Sequence, residues 1–173
     1  VTIDTTRALL YANGTGTNGM HCMSLADPEN PSEVGDYLTY YVHDFHVRGN
    51  RGYASCINDG LEVVLDMTTP GTFTQLASWS TPNAFTHNSW TTADSHYVYC
   101  TDETSSPAGT LSFYDIANLA SVKYLGEYTG LPSDIVHNVH GKGDTLFVAY
   151  YTAGIRIFDI HDPEVPVEVG FLD

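Results

Sequence analysis

A His-Asx pair recurs at three matching places in this sequence: His43-Asp44, His87-Asn88 and His137-Asn138. Neutral imidazole is a good ligand for Zn, Cu, Fe or Ni, and a neighbouring carboxylate tunes it. The histidines lie 44 and 50 residues apart, so they mark one place in a repeat rather than one local motif. His43, His87 and His137, with Asp44 beside the first, are candidate ligands for a divalent transition metal if the fold brings the copies together. The competing reading is structural: each His or Asx side chain bonds backbone groups at the start of its unit, and repetition in every unit is what structure requires. A second histidine follows in two copies, His46 and His140, but Trp90 takes that place in the third. Along a strand, HxxH does not bring two imidazoles together as it does on a helix. The stretch VHNVH at Val136–His140 is therefore not a metal motif by itself.

A second constellation is acidic. Asp59 follows Cys56, and Asp102-Glu103 follow Cys100. The two stretches read as equivalent turns where Asp59, Asp102 and Glu103 are candidate calcium ligands, with polar turn chemistry as the alternative. The stretch ANGTGTNG at Ala12–Gly19 reads as a flexible connection, and Asn13-Gly14-Thr15 fits the N-glycosylation pattern. No GxSxG is present, and Ser89 near His87 has no assigned acidic partner. Nothing here marks a catalytic nucleophile.

The elements that must position these residues come from repetition. Four units cover approximately residues 1–39, 40–83, 84–133 and 134–173 as one domain. The phrase GMHCMSLADPENPSEVG from Gly19 returns as GIRIFDIHDPEVPVEVG from Gly154. The longer second spacing is absorbed by loop-like stretches at Thr104–Gly109 and Thr129–Asp134. Each unit offers four short runs rich in β-branched and aromatic residues, such as HDFHV, RGYASC, LEVVLDM and TQLASW in the second. Four strands repeating every 40–50 residues predict an all-β chain: a β-propeller of about four four-stranded antiparallel blades. Val1 aligns with Phe45, Ser89 and Val139, and Leu9–Ala12 with Gly52–Ser55. The first blade is thus expected to be incomplete, lacking its opening strand.

Charge and length narrow the partners. Six Lys+Arg face 21 Asp+Glu among 173 residues, a formal net charge of −15. Such a field repels nucleic acid and anionic lipid surfaces. No apolar run reaches the length of a membrane span, so no membrane insertion is expected. No signal peptide is visible, as in a processed or partial chain. Cys22, Cys56 and Cys100 cannot all pair within one chain, and they are expected as buried free thiols on strands.

The repeats resemble the LVIVD-repeat β-propellers, in particular the choice-of-anchor B family of bacterial surface proteins. The resemblance rests on RALLYANGTGTNGMHCMSLADPENPSEVG, YYVHDFHVRGNRGYASCINDG, TPNAFTHNSWTTADSHYVYCTDE and IVHNVHGKGDTLFVAYYTAGIRIFDIHDPEVPVEVG. Leu65 and Ser24 depart from the usual repeat aspartate. The resemblance implies an extracellular, cell-surface protein. The expected function is a non-catalytic binding or scaffold module with protein or glycan partners, able to self-associate. One alternative is a metal-binding protein or metal-dependent enzyme using channel histidines, since equivalent inner-strand positions of a propeller surround its axis. Another is a carbohydrate-binding propeller, suggested by Trp79, Trp90, Tyr150 and Tyr151.

Overall fold

The computed structural model describes residues 1–14, 16, 19–105, 108–128 and 134–173. These residues form sixteen strands in four four-stranded antiparallel sheets. Blade 1 is β1 (Thr2–Asp4), β2 (Leu9–Asn13), β3 (Met20–Ser24) and β4 (Ser32–Tyr37). Blade 2 is β5 (Asp44–Arg48), β6 (Arg51–Cys56), β7 (Leu61–Asp66) and β8 (Thr74–Ser80). Blade 3 is β9 (Thr86–Thr91), β10 (Tyr97–Asp102), β11 (Leu111–Asp115) and β12 (Lys123–Tyr128). Blade 4 is β13 (Val136–Lys142), β14 (Thr145–Tyr150), β15 (Ile155–Asp159) and β16 (Val167–Leu172). Each blade is a simple meander, so the chain runs from inner to outer strand and then crosses to the next blade. Residues 106–107 and 129–133, in the two loop-like stretches, lie outside the described residues, as does Thr15 of the glycosylation pattern.

Loop chemistry sets the register. In blades 2 and 4 the first hairpin turns through two residues, Gly49-Asn50 and Gly143-Asp144, with Arg48 opposite Arg51 and Lys142 opposite Thr145. Both glycines have φ of +58°, the left-handed region such a turn demands. Blade 1 uses a longer loop, Thr5–Ala8. There the Asp4 carboxylate accepts hydrogen bonds from the backbone N–H groups of Thr6 and Arg7 and from Arg7 Nε.

That loop corrects two expectations. The opening strand of blade 1 is shortened to three residues rather than missing. Tyr11, opposite Thr2, shares its repeat position with Tyr53, opposite His46. The expected alignment of Leu9–Ala12 with Gly52–Ser55 is therefore one residue out.

The core lies between blades. Tyr11, Met20 and Cys22 of blade 1 bury against Phe45, Val63 and Leu65 of blade 2. Tyr53 and Val64 continue into Val98, Cys100 and Tyr114 of blade 3. Tyr99, Leu111 and Phe113 meet Val139, Leu146 and Phe158 of blade 4. The three cysteines are free and buried on β3, β6 and β10, and burial pushes each thiol above its ordinary range.

One carboxyl sits inside this apolar packing. Glu62 on β7 is fully buried and accepts hydrogen bonds from Ser55 Oγ (2.8 Å) in its own blade and Ser89 Oγ (2.7 Å) in blade 3. Burial raises its pKa from 4.5 to about 7 against the pull of the two hydroxyls, with nearby Asp44 raising it further. The folded chain therefore holds a proton that the unfolded chain releases. The associated stability is complete below pH 4.5 and is lost as pH rises through about 7. The gap is worth roughly 3 kcal/mol. Glu62→Gln keeps the shape and removes the titration, so it is expected to be close to neutral at pH 4.5 and to stabilise the fold at pH 8. Urea unfolding at the two pH values checks this. Parallel pH profiles for the two proteins would contradict it.

Candidate functional site

The inner strands β5, β9 and β13 bring repeat-equivalent residues into rows. The first row is the predicted one: the rings of His43 and His87 lie 4.4 Å apart between centroids, and those of His87 and His137 also 4.4 Å. Bulges help to aim them. Thr86 pairs with Asp102 and Asn88 with Thr101, leaving His87 as an extra residue on β9. His137 and Asn138 fall in a similar irregularity of β13, between paired Val136 and Val139. Bulges re-aim side chains in this way next to functional sites.

Backbone and side-chain contacts fix the row. His87 Nδ1 lies 3.0 Å from the His137 carbonyl oxygen and donates to it, and Thr101 Oγ1 donates to the same oxygen at 2.7 Å. Asn13 Nδ2 of blade 1 donates to the His43 carbonyl. Glu103, just past the end of β10, completes the group. Its Oε2 is 3.3 Å from His87 Nε2, and its Oε1 is 3.5 Å from His137 Nε2. The Tyr151 hydroxyl donates to Oε1 and the Tyr151 ring lies 5.3 Å from His137. One ring nitrogen each of His43 and His87 and one oxygen of Glu103 all lie within 4.8 Å of one another. His43 Nδ1 is buried with no hydrogen-bond partner among the described residues.

Burial pushes the His43 and His87 pKa values below the ordinary histidine value, against the attraction of nearby carboxylates. Both rings are neutral near pH 7. With its Nδ1–H committed to the His137 carbonyl, His87 presents an Nε2 lone pair toward Glu103. Two acceptors then face each other, an arrangement that a cation between them relieves.

The acidic candidates fall in different places. Asp44 does not join the histidines: its Oδ1 accepts from Phe45 N (2.8 Å) and its Oδ2 from Asn88 Nδ2 (2.5 Å). Asp102 is buried at the close of β10, where it accepts from Thr81 Oγ1, Thr110 Oγ1, Asn83 N and Phe85 N and so pins the crossing from blade 2 to blade 3. Asp59 lies in an exposed turn beside Leu38–Tyr41. Asp59, Asp102 and Glu103 thus form no common ligand group among the described residues.

Strand register gives the reason. Cys100 pairs with Ser89 and Ala54 with Phe45, so Cys100 matches Ala54, not Cys56. Counting on from this match, Glu103 shares its position with Ile57 and Tyr151. Sequence reasoning named Glu103 but gave it to the wrong cluster.

A second row runs beside the first. His46 stacks on Trp90 at 4.3 Å with the planes 32° apart, and Trp90 meets His140 at 5.4 Å. Arg48 lies over Trp90 at 5.7 Å. A Cβ on Gly141 would sit 2.5 Å from Trp90 Nε1, so only glycine permits this closeness. Burial lowers the His46 pKa to about 3, helped by Arg48 and His140. A cleft of about 720 Å³ borders this row and the Asp44–Asn88 pair; it lies beside the histidine–Glu103 group, whose residues do not line it. Of the four aromatics suggesting sugar binding, Tyr151 is exposed, Trp79 packs on Tyr114 and Tyr150 is buried.

No protein-family model matches the sequence, and no curated protein matches it. Solved structures do. A protein from Lactobacillus plantarum matches with a TM-score of 0.81 at 12% identity, over 99% of this chain and 56% of its own. A protein provisionally designated a 6-phosphogluconolactonase, from Bacteroides uniformis, matches with a TM-score of 0.78 at 11% identity, over 99% and 54%. The β-propeller domain of Cps50 from Myceliophteria thermophila matches with a TM-score of 0.72 at 15% identity, over 99% and 56%. This chain is a β-propeller of four-stranded blades, and it spans just over half the length of these structures. At such identities the likeness carries the fold alone.

The Asx row supplies the structural tie between blades. Asn88 donates to Asp44 in blade 2, and its Oδ1 accepts from Val139 N in blade 4 at 2.7 Å. Asn88→Ala removes a bond to a charged group and strands a buried N–H, an expected cost of about 2–4 kcal/mol. Asn88→Asp places a second carboxylate against Asp44 and is expected to be worse at pH 8 than at pH 5. Urea midpoints at unchanged m report both effects. Losses under about 0.5 kcal/mol for both variants would deny Asn88 this role.

Proposed function

We propose that this chain is a non-catalytic binding module that holds a divalent transition-metal ion between blades, with His43, His87 and Glu103 as ligands and His137 at the rim. The observation that carries this reading is the approach of His87 Nε2 to Glu103 Oε2 at 3.3 Å, with the proton of His87 committed to Nδ1. Zinc sits about 2.0–2.1 Å from a histidine nitrogen and about 2.0–2.2 Å from a carboxylate oxygen, so a tetrahedral angle sets these atoms about 3.3 Å apart. Two imidazoles and a carboxylate suit Zn, Cu, Ni or Fe, whereas calcium prefers oxygen ligands throughout. The His137 carbonyl that holds His87 Nδ1–H and the Tyr151 hydroxyl on Glu103 are outer partners of the kind that orient metal ligands. The cell-surface setting is supported by the resemblance to LVIVD-repeat proteins. The lactonase designation stays with the Bacteroides uniformis protein.

Titration with Zn²⁺ and Co²⁺, together with elemental analysis of protein handled without chelators, tests the site. About one ion per chain is expected. His87→Ala and Glu103→Gln are expected to abolish binding with the fold intact, and Tyr151→Phe to weaken it by about 10-fold. Because burial holds His43 and His87 below the ordinary histidine value, affinity is expected to fall with acidification at a lower pH than for a solvent-exposed histidine site. Under about 0.2 ion per chain, with no heat or Co²⁺ spectrum on titration, would end the reading.

A further inference from the structure

Cations are scarce in this chain, six Lys+Arg against 21 acids, so an unpaired one stands out. Arg7 pairs with Asp4, Lys123 with Asp115, and Arg156 with Glu168 and Asp173. Arg51 lies opposite Asp66 in strand register, and Lys142 is exposed to water. Arg48 is partly buried yet has no carboxylate within ion-pair distance among the described residues. Register sets it directly opposite a second cation, Arg51, where like charges repel. Arg48 Nε donates to Thr91 Oγ1 (3.4 Å) and Nη2 to the Thr91 carbonyl oxygen (3.1 Å), and the guanidinium lies over the Trp90 ring. These contacts hold the fork in place and leave Nη1 without a hydrogen bond among the described residues.

Arg48 lines the cleft of about 720 Å³ along the inner strands. Two carboxylates line it too, and both are committed. Asp4 accepts from Thr6 N, Arg7 N and Arg7 Nε, and Asp44 accepts from Phe45 N and Asn88 Nδ2. The side-chain charge left unmatched in the cleft is therefore positive. His46, on the same wall, feels it: burial, then the charges of Arg48 and His140, lower its pKa to about 3, so its ring is neutral and leaves Arg48 as the cation there. Arg48, His46, Trp90 and Thr91 belong to blades 2 and 3, each of which packs between two other blades.

We propose that this cleft binds a small monocarboxylate, with the Arg48 guanidinium as its counter-charge. Nη1 and the second proton of Nη2 form the free end of the fork, and that end matches the two oxygens of a carboxylate. Because Thr91 and Trp90 already hold the guanidinium, the ligand does not have to order it. One unmatched cation calls for one negative charge, and Asp4 and Asp44 on the same walls disfavour a dianion such as phosphate. His43, His87 and Glu103 do not line the cleft, so this inference stands independently of the metal site.

Calorimetric titration of the chain, freed of metal on a chelating resin, tests this with sodium acetate, sodium benzoate, benzamide and inorganic phosphate as probes. Both carboxylates are expected to bind saturably and more weakly as salt is added. Benzamide has the shape of benzoate without its charge and is expected to bind at least about 10-fold more weakly. Arg48→Gln is expected to weaken benzoate by more than about 10-fold. Arg48→Lys keeps the charge and loses the fork, so an intermediate loss is expected, and it serves as the test if circular dichroism shows Arg48→Gln unfolded. Arg51→Gln removes a neighbouring cation that does not line the cleft and is expected to leave benzoate affinity within about 2-fold. No saturable binding of either carboxylate up to about 50 mM would overturn the proposal. So would phosphate binding more tightly than benzoate, equal binding of benzoate and benzamide, or an equal loss in the Arg48 and Arg51 variants.

Discussion

A four-stranded blade has two apolar faces and can cover neither by itself. Burial of one blade on the next is the constraint from which the rest of the structure follows. It puts the core between sheets, where Tyr11, Tyr53 and Tyr99 fill one repeat position at three successive interfaces. It also sets which polar groups can be buried. Glu62 is tolerated because Ser55 and Ser89 reach it from both sides of an interface. Asn88 ties three blades because its amide bonds in both directions. Stacking in register then has a chemical result: residues one repeat apart become neighbours, and three imidazoles separated by 44 and 50 residues stand 4.4 Å apart.

Much of this is written in the sequence because a repeat states the same instruction several times. The run RGYASC coincides with β6 to the residue, and LEVVLDM exceeds β7 by one. The Gly49-Asn50 and Gly143-Asp144 turns are local chemistry and could be read directly. Blade 1 was harder because its first hairpin is built differently: Asp4 organises a loop two residues longer than the Gly-Asn turn of blade 2, and the alignment slipped with it. The row of histidines was legible from spacing alone. Its carboxylate partner was not, since Glu103 meets the histidines only through the placement of the end of β10 beside the starts of β9 and β13. Matching Cys56 to Cys100 made Asn58-Asp59 and Asp102-Glu103 look like equivalent turns, when Asp59 lies in an exposed turn and Asp102 is buried among four donors. Glu62 is not legible as buried because a glutamate within a strand such as LEVVLD reads as a solvent-facing position. The signal was there in the two serines, one paired directly opposite it and one on the inner strand of the next blade.

Departures from the repeat separate the structural from the chemical. The Asx row is kept in three blades, and its first two members, Asp44 and Asn88, bond each other across the strands while Asn88 also holds Val139 N, as a structural device does. At the position of Glu103, by contrast, blade 2 has Ile57 and blade 4 has Tyr151. Only blade 3 puts a carboxylate there, and the tyrosine of the next blade bonds to it. Trp90 likewise replaces a histidine in the middle of its row, and a glycine at 141 makes room for it. A stack of imidazoles alone does not call for a partly buried glutamate beside it: Tyr151 satisfies Oε1, but Oε2 faces the His87 lone pair, which is costly in a low-dielectric setting. That cost falls on one blade alone. That asymmetry, rather than the repeated histidines, is what the proposed metal site rests on.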